Sequence, residues 1–142
     1  LICSDDATFF DSHVNVGLVS ALEPIGLARR AALEPTLRLA LVGRKERMPA
    51  QRAFQLGWVS EVVPKAKLLD RAAELARALK GNYTAAMAQT KRAIWQSLNV
   101  GLDRAQEMGW SVIEEHWDSP DIEEGARAFR EKRPPRWAPL TL

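Results

Sequence analysis

The chain has 142 residues, 46% hydrophobic and 27% charged, with a formal net charge of +2, the balance of a soluble globular protein and not of a disordered one. Its single cysteine excludes an internal disulfide and a cysteine-rich zinc site. No apolar run reaches the roughly 18 residues of a membrane span, so the expectation is a cytoplasmic protein with no metal and no membrane partner.

Leu1 and Ile2 open the chain with no methionine before them, as if inside a buried strand, which predicts that an N-terminal part is missing. Residues 1–3 read as that strand. Residues 7–10 read as a second one after the turn-prone pair Asp5 and Asp6. The stretch 5–24, DDATFFDSHVNVGLVSALEP, has no helical period. Polar groups on such irregular backbone are the first place to look for chemistry.

From Pro24 the pattern turns helical, with Ile25, Leu27, Ala28, Ala31 and Ala32 able to share a face. Glu34 and Pro35 restart it through Leu37 to Val42, and Gly43 is a stop. An exposed basic loop, GRKER, follows. Pro49 stands where a helix would begin, with Gly57 ending it. Residues 58–63 read as a strand closed by Pro64. After Pro64 the pattern is helical throughout: 67–80, 83–98, 102–117 and 120–133. The helices carry Trp95, Trp110 and Trp117, more aromatic surface than a small bundle hides, which predicts an oligomer.

Charge is uneven along this half. Residues 103–124 hold eight acidic side chains and one arginine, and residues 127–136 hold five basic and one acidic. The basic tail could touch phosphate, but no basic stripe extends it, so no nucleic-acid partner is expected. His13 suits acid/base work near neutral pH, or it is a satisfied structural histidine. Glu23 is a candidate catalytic carboxylate, or the favourable anion at a helix start. Cys3 reads as a small buried residue.

ATFF after a strand, the glycine loop VGLV, the segment LRLALVGRKERMPAQRAFQLGWVSEVVP and AFREKR near the end occur in the order of the enoyl-CoA hydratase/isomerase (crotonase) family. Taken together, they resemble the C-terminal half of that family. The third piece is the most specific, through Gly43, Arg44, Ala50, Ala53, Gly57, Val59, Val62 and Val63. The resemblance implies an α/β fold: residues 1–66 as the remainder of a ββα spiral with one wall of an acyl-CoA pocket, and residues 67–142 as an all-helical oligomerisation domain, assembling as a trimer or a dimer of trimers.

It also implies a reaction. Two backbone N–H groups hold a thioester carbonyl and stabilise the negative charge that develops on its oxygen, while a nearby group moves protons on the acyl chain. Coenzyme A would enter as part of the substrate, with no prosthetic group. The oxyanion donors and the first catalytic glutamate of the family lie upstream of Leu1, so residues 1–142 alone are not expected to catalyse. The family's second glutamate falls at His13, which makes His13 the first catalytic candidate and Glu23 the second. Phe129 and Lys132 match the aromatic and lysine that reach the adenine and phosphates of CoA; otherwise Phe129 anchors its helix and Lys132 is a solvated charge. A non-catalytic CoA-binding module of the same fold and an acyl-CoA hydrolase are the alternatives.

Overall fold

A computed structural model describes residues 1–138. The chain divides into two compact units, Leu1–Ala76 and Arg77–Leu142. In the first, strand β1 (Ile2–Ser4) runs parallel to β4 (Glu61–Val63), with Cys3 opposite Val62. Strand β2 (Thr8–Phe9) runs antiparallel to β3 (Met48–Pro49), with Phe9 opposite Met48. The connections carry helices α1 (Leu22–Ala28), α2 (Leu33–Val42) and α3 (Ala50–Gln55).

The core of this unit is made of small side chains. Cys3, Ala50, Ala53 and Val59 are buried together, with Phe9, Met48, Trp58 and Val62 packed around them. Alanines on the inner side of α3 let its backbone approach the strands closely, and Ala50 N–H donates to Ala7 O at 2.9 Å. At the other end of α3, Gly57 takes a φ of 73°. Its N–H donates to Phe54 O and that of Trp58 donates to Ala53 O, both at 2.9 Å. This is a Schellman closure, which satisfies the last carbonyls and requires a left-handed residue at that point.

Four sequence expectations change. Strand 58–63 shrinks to Glu61–Val63, because the helix closure takes up Trp58, and Val59 turns into the core. Pro49 is not the first helical residue: it is extended, at φ −72° and ψ 156°, and caps α3 from the end of β3. That two-residue strand was not anticipated, since its proline can sit only at an edge or a strand end. The first strand is buried only at Cys3, with Leu1 81% exposed. The helix expected from Pro24 to Ala32 begins at Leu22 and ends at Ala28.

Helix α4 (Leu68–Lys80) crosses the division of the chain, and α5 (Thr84–Ser97), α6 (Leu102–His116) and α7 (Pro120–Glu131) follow. Within the second unit α5 packs on α6. Trp110, Ile113 and Trp117 remain at least half exposed. They line an apolar groove of about 720 Å³ together with Ile94 and Ile122. Beyond α7 the chain folds back as a strap. Trp137 stacks on Tyr83 with ring centroids 5.3 Å apart and donates its Nε1–H to Gly81 O at 3.1 Å.

Candidate active site

Between β2 and α1 the backbone makes a short 3-10 turn, His13–Val16, closed by Gly17 at φ 77°. Asp11 organises it. One carboxylate oxygen, Oδ1, accepts the His13 backbone N–H at 2.9 Å and lies 2.7 Å from His13 Nδ1. The other, Oδ2, accepts the Ser20 hydroxyl. Asp11 is thus an Asx-type cap for the turn and an anchor for the imidazole at once.

The electrostatics follow from these contacts. The Asp11 side chain is only 10% exposed and its charged form collects the Ser20 hydroxyl and the His13 N–H, which holds its pKa down at about 2. His13 moves the opposite way. Its pKa is raised, first by the hydrogen bond to Asp11 and then by the charges of Asp11 and Glu23. The imidazole keeps 38% of its side-chain surface open, as a group that meets a reactant must.

A second polar contact holds the turn from the other side. Asn15 Oδ1 accepts the Arg44 N–H at 2.7 Å, and Gly43, at φ 67°, lies so close to the Asn15 carboxamide that a Cβ there would overlap it. The glycine and arginine of the GRKER loop therefore meet the loop that carries His13. Glu23 sits in the first turn of α1, exposed and in the electrostatic range of His13. Glu23 reaches His13 only through its charge, whereas Asp11 and Ser20, which the sequence pattern does not single out, are hydrogen-bonded into the turn. The spacing DSH offered the signal: an aspartate two residues ahead can cap a turn and reach the side chain that follows.

Phe129 and Lys132 close α7 in the second unit. Phe129 is 87% exposed, so its ring does not anchor the helix. Lys132 takes the left-handed conformation at φ 53°, the C-terminal cap position. The side chains of Arg127 and Arg133 are engaged. Buried Glu124 receives Arg127 Nη2 at 2.7 Å, Arg133 Nη1 at 2.7 Å and Nη2 at 3.0 Å, and the Arg136 N–H at 2.7 Å. Two of the five basic side chains of residues 127–136, those of Arg127 and Arg133, therefore serve an internal carboxylate. Among the described residues, no cluster of three or more His, Cys, Asp or Glu could hold a metal, and no helix is long and apolar enough to cross a membrane.

The family model described as enoyl-CoA hydratase/isomerase matches residues 1–139. The chain belongs to the enoyl-CoA hydratase/isomerase family. An enoyl-CoA hydratase/isomerase of Mycobacterium paratuberculosis superposes with a TM-score of 0.92 at 43% identity, over 96% of this chain and 54% of that one. An enoyl-CoA hydratase of Mycobacterium tuberculosis H37Rv gives 0.88 at 32% identity, over 96% and 54%. A carnitinyl-CoA dehydratase of Shigella flexneri is 31% identical over 96% of this chain and 54% of its own. The architecture is that of the C-terminal portion of the crotonase fold, and the chain spans about half the length of the curated relatives it matches.

Proposed function

We propose that the protein carrying this chain processes acyl-CoA thioesters by hydratase/isomerase-type chemistry, with His13 as an acid/base group acting on the acyl chain. The observation that carries this reading is a half-open imidazole on the turn that the family resemblance gives to a glutamate. Near neutral pH, imidazole can take a proton as base and return it as acid. Addition or removal of water across a double bond, and migration of the bond, both need such a transfer next to a stabilised thioester enolate. Glu23 biases His13 electrostatically from the start of α1 and is the second candidate group for the reaction, after His13.

In the same reading Phe129 offers an apolar face to the adenine of CoA and Lys132 a point charge to its phosphates. Coenzyme A is part of the substrate, and no prosthetic group takes part. The half-exposed Trp110, Ile113 and Trp117 support a homo-oligomer, a trimer or a dimer of trimers, formed in the cytoplasm. The test is turnover of a panel of enoyl-CoA and hydroxyacyl-CoA esters by the intact protein. His13→Ala should lower kcat/KM by about 10²- to 10⁴-fold, the contribution of a positioned acid/base group. Unchanged turnover in that variant removes His13 from the mechanism. CoA-ester binding with no turnover of any ester by the wild type supports the non-catalytic module instead.

A further inference from the structure

We infer that Asp11 is the positioning residue of this site, committing Nδ1 of His13 to a carboxylate so that Nε2 alone exchanges protons with the reacting group. The inference rests on the functional reading above and adds to it which ring atom works and what sets its basicity. A carboxylate can only accept, so the nitrogen 2.7 Å from Asp11 Oδ1 carries the hydrogen in the neutral ring, and the lone pair lies on Nε2. The His13 backbone N–H on the same oxygen fixes the carboxylate relative to the residue whose ring it holds. Ser20 occupies the second oxygen, which prevents the carboxylate from rotating away.

The proton balance is simple. Nε2 takes a proton from the reacting group, the ring becomes imidazolium with both nitrogens protonated, and the positive charge forms opposite Asp11. The same Nε2 later gives the proton back, and Nδ1–H stays on the ring throughout. Asp11 itself remains ionised, in keeping with a pKa held down at about 2.

A carboxylate at position 13 could not use this arrangement, because two anions would share one turn. Asp11 therefore matters here because residue 13 is an imidazole. The charges that act on His13 are those of Asp11 and Glu23. Of the elements packed against the turn, α2 carries Glu34 and Arg38, and the loop at 43–45 carries Arg44 and Lys45.

The experiment is nitrogen NMR of ring-labelled histidine in the intact protein, with His13 assigned by its loss in His13→Ala, alongside pH profiles of kcat/KM. In the wild type, neutral His13 should show a protonated Nδ1 and a bare Nε2. In Asp11→Asn the His13 titration midpoint should fall, and the acidic limb of the pH profile, which reports the base that must be unprotonated, should move to lower pH with it. In this variant kcat/KM at neutral pH should drop by about 10- to 100-fold. A wild-type ring with its proton on Nε2, or a midpoint unmoved in Asp11→Asn, overturns the assignment whatever the turnover. Full turnover in His13→Ala overturns the functional reading whatever the tautomer. The wild-type tautomer needs no variant to fold.

Discussion

Two carboxylates, Asp11 in the first unit and Glu124 in the second, are built alike and used differently. Each is nearly buried and collects at least three hydrogen bonds, including a backbone N–H. Asp11 spends its bonds on a hydroxyl and an imidazole, Glu124 on guanidinium groups. Arginine does not deprotonate in proteins, whereas imidazole titrates near neutrality. The partner, more than the carboxylate, thus decides whether such a node is a permanent clamp or a group that can move a proton.

The clamp should show itself first in stability. Glu124→Ala leaves Arg133 with only the exposed Glu131 carboxylate, takes the partner from Arg127 and frees the Arg136 N–H, so the unfolding midpoint should drop by several degrees. Thermal denaturation followed by circular dichroism measures it, and a drop no larger than that of an exposed substitution would erase the contrast between the two nodes. Next comes the support of the His13 turn. Gly43→Ala forces an alanine to a positive φ and into the Asn15 carboxamide, which should cost about 1–3 kcal/mol in chemical denaturation.

The pH dependence sharpens the comparison further. A depressed Asp11 stabilises the fold above its unfolded pKa of about 3.9, and this is lost as pH falls towards about 2. A raised His13 stabilises below its unfolded value of about 6.5, and this is lost as pH rises through the folded value. The stability gap between wild type and Asp11→Asn should therefore peak between about pH 4 and pH 6.5 and shrink at higher pH. The gap for Glu124→Ala should stay flat above about pH 5, because Glu124 is held well below the usual carboxylate range by Arg133 and Arg127. Equal pH profiles for the two gaps would break the distinction.

Smaller effects follow at the end of the chain. Trp137→Phe keeps the ring on Tyr83 but removes the bond to Gly81 O, at about 1 kcal/mol in the same denaturation. Phe129→Ser, at a side chain almost wholly in solvent, should change stability by no more than about 0.5 kcal/mol. The same variant should weaken CoA-ester affinity if the proposed adenine contact is made, a difference that titration calorimetry on the intact protein reads.

Much of the fold was legible in the order of residues. Glycine at 43 and 57, proline at 64 and 120, and the helical spacing after residue 66 marked where elements start and stop, because glycine admits a positive φ while proline fixes φ and removes a donor. Pro24 and Pro35 only placed α1 and α2 nearby, since each lies inside the first turn. The family resemblance rested on the same punctuation. His13 was legible as a candidate through its residue type and its place in the register, and Glu23 through its position at a helix start.

What local pattern could not supply was long-range pairing. Strands of two or three residues are too short to show a period, so β3 became visible only against β2, and the strand read at 58–63 kept only the part that β1 pairs with. Glu124 looked like one acid among eight until the chain turned back to bring Arg133 and Arg136 to it. For His13 the sequence determined the kind of proton-transfer group available. The tertiary structure decided which nitrogen keeps a free lone pair, because that depends on where the Asp11 carboxylate lies and on the Ser20 hydroxyl that holds it there.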